Sequence, residues 1–118
     1  MRLIVGLLAA ALLSSAAQAQ SQSGASMLPS CRQMATGNVG KSVTEAARGG
    51  GCAGMVGTLL AVGPKLSDDM KFCPPPGSNL PLGLKVFVKF LEDHPDRQEE
   101  PTITLALAAF REAWACKN

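Results

Sequence analysis

Residues 82–93 read LGLKVFVKFLED and carry a clear amphipathic pattern. Its apolar side chains recur every three or four residues with charged side chains between them, which is typical of a helix with one face in a core. We predict that the core face comprises Leu82, Val86, Phe87, Phe90 and Leu91, whereas Lys85, Lys89 and Glu92 face water. Pro95 ends this helix, because the residue before a proline disfavours helical backbone angles.

A second helix is predicted upstream, over residues 52–62 (CAGMVGTLLAV). Helical spacing predicts an apolar face that comprises Cys52, Met55, Val56, Leu59 and Leu60. Gly54 and Gly57 fit two interpretations, a close approach by another helix or a locally loosened helix. The triple glycine at 49–51 predicts a break or a frayed entry, since each glycine costs a helix about 1 kcal/mol relative to alanine.

Three further segments complete the prediction of secondary structure. Ser42 stands three residues before Glu45, which is the spacing of a capping box. A short helix is predicted around Cys31, within residues 27–36. Pro101 suits the first turn of a C-terminal helix, whose core face is predicted to comprise Ile103, Leu107, Phe110 and Trp114. Since no window alternates polar and apolar residues, we predict an all-α fold, a small disulfide-stabilised bundle of about four helices.

Residues 1–19 have the composition of a secretory signal peptide. A basic start precedes the apolar run at 3–13, and Ala17-Gln18-Ala19 places small residues where a signal peptidase requires them. We therefore expect cleavage between Ala19 and Gln20 and a mature protein in the periplasm of a Gram-negative bacterium. The apolar run covers only about half of a ~30 Å bilayer core, which argues against a membrane anchor. Residues 20–30 are predicted to be a flexible leader and residues 31–118 the folded domain.

All four cysteines lie in the predicted mature chain, at Cys31, Cys52, Cys73 and Cys116. An even number of cysteines in a small exported domain predicts disulfides. The chain has no Cys-x-x-Cys pair and a single histidine, which argues against a zinc site or a thioredoxin-like motif. Three pairings are possible, and we favour Cys31–Cys52 and Cys73–Cys116. The first would tie the N-terminal helix to the second helix, and the other would tie the proline-rich connector at 74–76 to the chain end.

Charge and motifs limit the function classes. The chain has a net charge of +2 without a clustered basic stretch, which argues against binding to nucleic acid. No Ser-His-Asp set, paired-carboxylate motif or metal-ligand cluster can be assembled, and Gly49-Gly50-Gly51 lacks the lysine and hydroxyl residue of a phosphate loop. His94 is interpreted as a helix-end residue. We therefore predict no catalytic residue, no cofactor and no metal site, and a protein that is not an enzyme.

The order of several short motifs is similar to that of a known family. These motifs are Cys52-Ala53-Gly54 on a helix, Phe72-Cys73 followed by Pro75, a helix ending in Phe90-Leu91-Glu92-Asp93-His94-Pro95, and Trp114-Ala115-Cys116 near the chain end. The set resembles the Rap1a/Tai-type immunity-protein domain. The resemblance implies a compact all-α periplasmic domain that binds a secreted peptidoglycan amidase effector, delivered by type VI secretion, and occludes its active site.

The sequence offers more than one candidate for the contact surface, the partner and the function. The loops at 65–71 (KLSDDMK) and 93–100 (DHPDRQEE) are exposed candidates for contact, although each also fits an ordinary solvated loop. A second copy of the chain is a further candidate partner. The alternative function is that of a periplasmic chaperone or stress-type helical protein, or of a domain of this family with another role, in each case without catalysis.

Overall fold

The computed structural model describes residues 22–117. The predicted signal peptide and its cleavage position between Ala19 and Gln20 lie outside the described residues. Four α-helices form the described part of the chain, namely α1 (Gly24–Ala35), α2 (Val43–Val62), α3 (Leu80–Asp93) and α4 (Thr102–Ala113). Short 3-10 turns follow α2 at Gly63–Lys65 and α3 at Pro95–Arg97. The prediction of an all-α, disulfide-stabilised bundle of about four helices is confirmed.

Helix α3 is the centre of the bundle and packs against the other three helices. Asn79 caps its start, because the side-chain oxygen accepts a hydrogen bond of 3.1 Å from the amide of Leu82. The buried residues of α3 are Gly83, Leu84, Phe87, Val88, Phe90 and Leu91. The predicted core face is therefore rotated, since Leu84 and Val88 are buried while Leu82 is exposed. Contact on three sides widens the buried arc beyond a single stripe.

Helix α2 runs without interruption through Gly49-Gly50-Gly51, so the predicted break is wrong. The Ser42 hydroxyl accepts a hydrogen bond of 3.1 Å from the amide of Glu45, as the capping box predicts, while the Glu45 carboxylate accepts from the amide of Lys41 at 2.6 Å. Gly49 is buried, and a Cβ atom there would lie 2.8 Å from Met34 Sδ. Packing of α2 on α1 thus outweighs the low helix propensity of the glycines.

The close approach between helices occurs at Gly83 on α3. A Cβ atom at Gly83 would lie 2.8 Å from Val56 Cγ1 and 3.0 Å from Leu60 Cδ1 on α2. By contrast, a Cβ atom at Gly54 or Gly57 would meet nothing within 4 Å. The close-approach interpretation of these two glycines is therefore wrong.

Helix α1 begins earlier than predicted, so the flexible leader at 20–30 is wrong for residues 23–30. Ser23 caps the helix and forms an isolated β-bridge with Pro101. The amides of Gly24 and Ala25 donate hydrogen bonds of 3.0 and 2.8 Å to the carbonyls of Glu100 and Gln98. Gly24 is buried and would clash with Leu105 if it carried a Cβ atom. The segment that precedes α4 therefore fixes the start of α1. No local sequence pattern predicts this contact.

Helix α4 presents a different face from the one predicted. Its buried residues are Thr102, Leu105, Ala106, Ala109 and Phe110, whereas Ile103 is 47% exposed. The buried face includes the small residues Ala106 and Ala109, and Ile103 lies outside it. Phe110 stacks on Trp114 with ring centroids 5.3 Å apart and also meets Phe72 at 5.1 Å. Phe72 is fully buried, so the connector between α2 and α3 contributes to the core as well.

Candidate binding surface and disulfide sites

The first disulfide joins Cys31 in α1 to Cys52 in α2, with Cα atoms 5.5 Å apart. Both cysteines have no exposed surface and belong to the main hydrophobic core. Met27 and Val56, one turn away on either helix, are buried in the same core. This bridge is therefore closed to solvent and holds the two helices together from inside the bundle.

The second disulfide joins Cys73 in the connector to Cys116 near the chain end, with Cα atoms 4.9 Å apart. Cys73 is exposed and Cys116 is half-buried. The amide of Cys73 also donates a hydrogen bond of 2.8 Å to the carbonyl of Trp114. We call Cys73, Trp114 and Cys116 the C-terminal edge. These are the two pairs that the sequence analysis favoured, and here the second lies at the surface.

A charged cleft of about 350 Å³ borders the C-terminal edge and is lined by Asp68, Lys71, Arg111, Ala115 and Cys116. The ammonium group of Lys71 lies 2.8 Å from a carboxylate oxygen of Asp68. In the same loop, a hydrogen bond from the Ser67 hydroxyl lowers the pKa of Asp69, with a smaller contribution from the charge of Arg111. The predicted contact loop at 65–71 thus forms one wall of this cleft, and Arg111 of α4 forms another.

The second predicted contact loop, at 93–100, is held rigidly at several points. The Gln98 side chain donates a hydrogen bond of 2.8 Å to the carbonyl of Leu91. The Arg97 guanidinium donates to both carboxylate oxygens of Glu100, at 2.7 and 3.1 Å. These bonds raise the pKa of Arg97 and lower that of Glu100. Asp96 and Glu99 stay exposed between these anchored positions.

His94 caps the end of α3. Its Nδ1 lies 2.8 Å from the carbonyl oxygen of Phe90, and its ring stacks on that of Phe90 with centroids 4.1 Å apart. The Arg97 guanidinium lies over the Phe90 ring, with its Cζ 5.5 Å from the ring centroid. The histidine is therefore engaged in closing the helix, which fits the helix-end role expected from the sequence.

An apolar groove runs between the first half of α2 and the start of α4. It consists of two adjoining hollows of about 390 and 250 Å³ that share Gln22, Met27 and Gly51. Val43, 89% exposed, and Ile103 flank it. The sequence patterns did not indicate this groove, because Ile103 was predicted to lie in the core and the second helix was predicted to begin only at Cys52. A longer helical window that included Val43 and Ala47 is the only local signal that could have indicated it.

Within residues 22–117, no group of three or more His, Cys, Asp or Glu side chains is placed to hold a metal ion. None of the helices in that range combines the length and apolar character needed to cross a bilayer.

Comparison with known proteins places the domain in a family. No curated protein and no solved structure matches the chain significantly. A family model described as Rap1a immunity proteins matches residues 23–116. The match begins at Ser23, the cap of α1, and ends at Cys116, so it covers all four helices and both disulfides. The chain therefore belongs to the Rap1a immunity protein family.

Proposed function

We propose that this protein is a periplasmic immunity protein that binds a peptidoglycan amidase effector delivered by type VI secretion. It neutralises the effector by covering the active site and performs no chemistry of its own. The observation that carries this proposal is the family match over residues 23–116. Immunity proteins act by binding a partner protein, and the amidase class and the delivery route are the proposed refinements.

Export to the periplasm is supported by the sequence and by the sulfur chemistry. The stretch at 1–19 has a basic start, an apolar run and a small-residue cleavage motif. Two disulfides account for all four cysteines. Such bridges persist in oxidising compartments and are rare where thiols are kept reduced. We propose that cleavage between Ala19 and Gln20 releases the mature domain there.

The loop at 93–100 is our proposed contact surface. Hydrogen bonds from Gly24, Ala25 and the side chain of Gln98 fix its backbone before any partner arrives. A rigid loop loses little conformational entropy when it binds, which favours affinity. The exposed carboxylates of Asp96 and Glu99 would steer association with a basic rim around an active site.

Co-production in the periplasm tests this function. The amidase effector to use is the product of a reading frame adjacent to that of this protein. We expect the effector alone to lyse the cells and co-production of this protein to restore growth. Binding of the two purified proteins, measured by isothermal titration calorimetry, should be tight and should abolish peptidoglycan cleavage in vitro.

Two matched charge reversals locate the contact surface. D96K/E99K alters the loop at 93–100, and D68K/D69K reverses the same number of charges on the loop at 65–71. We expect the first variant to weaken binding by at least about tenfold and the second to leave binding nearly unchanged. The opposite result would move the contact to the charged cleft. Failure of the native protein to bind any periplasmic hydrolase would contradict the amidase proposal, while the family assignment would stand.

A further inference from the structure

The two disulfides differ in their access to solvent. Cys31 and Cys52 have 0% exposure, so a reductant can reach their sulfur atoms only when the core opens. Cys73 is exposed and Cys116 lines an open cleft. Exchange requires in-line attack of a thiolate on a sulfur atom, so the rate of reduction depends first on access.

The charge around the second disulfide favours exchange as well. Cys116 shares its cleft with the cationic side chains of Lys71 and Arg111, and Lys117 follows it directly in the chain. Asp68 pairs with Lys71 at 2.8 Å, and Asp69 is near enough to Arg111 for the guanidinium charge to lower its pKa. These carboxylates compensate part of the positive charge, and Lys117 adds to it. Nearby cations stabilise a thiolate, and a more stable thiolate is a better leaving group.

We propose that Cys73–Cys116 is a thiol–disulfide exchange site for a dithiol reductant, a small dithiol or a dithiol oxidoreductase, and that Cys31–Cys52 is not. A thiolate of the reductant attacks Sγ of Cys73. The Cys73–Cys116 bond breaks, and Cys116 leaves as a thiolate beside Arg111. The second thiol of the reductant then attacks the mixed disulfide, so Cys73 leaves as a thiolate. Both thiolates take up protons, the protein gains two electrons, and the reductant becomes a disulfide.

Exchange at this site would act on the C-terminal edge alone. Beyond the disulfide, the chain end is held to the connector by the hydrogen bond from Cys73 to Trp114 and by the stacking of Trp114 on Phe110. The buried bridge between α1 and α2 would stay closed. The redox state would therefore set how firmly residues 114–117 are held, without unfolding the bundle.

Differential alkylation of the native full-length mature protein tests the site. The protein is treated with dithiothreitol in native buffer, and new thiols are trapped with iodoacetamide at successive times. Trypsin separates the four cysteines, because Cys52 falls in residues 49–65, Cys73 in 72–85 and Cys116 in 112–117, while the Cys31 peptide ends at Arg32. We expect Cys73 and Cys116 to become labelled at least about tenfold faster than Cys31 and Cys52.

The same reaction in concentrated urea is the control, and there the two pairs should react at similar rates. Equal rates for the two pairs in native buffer would overturn the proposal, and so would faster labelling of Cys31 and Cys52. Resistance of all four cysteines in native buffer, followed by reaction in urea, would overturn it as well.

A pair of charge variants tests the leaving group. K71Q/R111Q removes the two cations of the cleft, and K85Q removes one lysine on the exposed side of α3 as a control. We expect K71Q/R111Q to slow reduction of Cys73–Cys116 roughly threefold relative to K85Q. Equal rates in the two variants, with circular dichroism showing both to be folded, would overturn the assignment of Cys116 as the leaving group.

Discussion

The two disulfides of this protein close loops of different length in different surroundings. Cys31–Cys52 spans 21 positions of sequence inside the core, and Cys73–Cys116 spans 43 positions at the surface. Chain entropy alone ranks the longer loop higher, at roughly 4.0 against 3.4 kcal/mol. Packing ranks them in the opposite order, because losing a buried bridge also leaves unfilled space in the core. The comparison therefore separates the effect of chain entropy from that of burial.

Removing each disulfide in turn measures how much loop closure and burial contribute to stability. We expect C31A/C52A to lower the free energy of unfolding by about 5 kcal/mol, since loop entropy and core packing are lost together. C73A/C116A should cost about 4 kcal/mol, the loop-entropy value alone, because the aromatic stack and the hydrogen bond from residue 73 to Trp114 survive. Urea unfolding followed by circular dichroism measures both values. A larger loss in C73A/C116A than in C31A/C52A, which is the order that chain entropy alone gives, would show that packing adds nothing at the buried bridge.

Gly83→Ala changes the packing of the core and leaves both disulfides intact. The added Cβ would come within 2.8 Å of Val56 Cγ1, and a β-branched side chain in a helix has little rotamer freedom to yield. We expect a loss of about 2 kcal/mol in the free energy of unfolding, despite the gain in helix propensity. An unchanged or raised unfolding midpoint would mean that α2 and α3 can separate at no cost.

Gly54→Ala is the matched control on the open face of α2. A Cβ atom there would meet nothing within 4 Å, so only helix propensity and chain entropy change. We expect the free energy of unfolding to rise by up to about 1 kcal/mol. A loss of stability in this variant would contradict the open face seen in the structure and would indicate a contact at that position.

The contact between Arg97 and Glu100 should make a small, pH-dependent contribution to stability. The hydrogen bond from Arg97 holds the pKa of Glu100 below its ordinary value of 4.5. Because the pKa of Glu100 is lowered in the folded state, this contact stabilises the protein at pH values above the ordinary pKa. The stabilisation disappears as the pH falls through the lowered, folded-state pKa. We expect native protein to melt slightly above E100Q at pH 7 and the difference to vanish toward pH 3. A difference that grew on acidification would reverse the sign of this assignment.

The sequence predicted which segments are helical better than it predicted which face of each helix is buried. The amphipathic pattern at 82–93 predicted α3, and the capping box at Ser42 marked the start of α2, because both signals are local. The start of α1 depends on hydrogen bonds to Gln98 and Glu100, some 75 residues away, and the continuity of α2 depends on packing against Met34. Local propensity cannot report such tertiary contacts.

The candidate sites also differ in whether the sequence alone could predict them. The cysteines could be named from the sequence because their residue type carries the chemistry. The charged cleft brings together Lys71 from the connector after α2 and Arg111 from α4, and the apolar groove depends on how α4 is rotated. Both surfaces arise only when the helices are assembled. The anchoring of the loop at 93–100 likewise became visible only with the start of α1 in place.

Trp114 has a consequence for how this protein is observed. It is the only tryptophan, and the chain contains no tyrosine. Intrinsic fluorescence therefore samples one position, where the indole stacks on Phe110 close to Cys116. Tryptophan emission would therefore report the release of the chain end. It would not report the separation of α1 from α2. Emission and far-ultraviolet circular dichroism should then yield two different melting curves whenever the surface bridge is open.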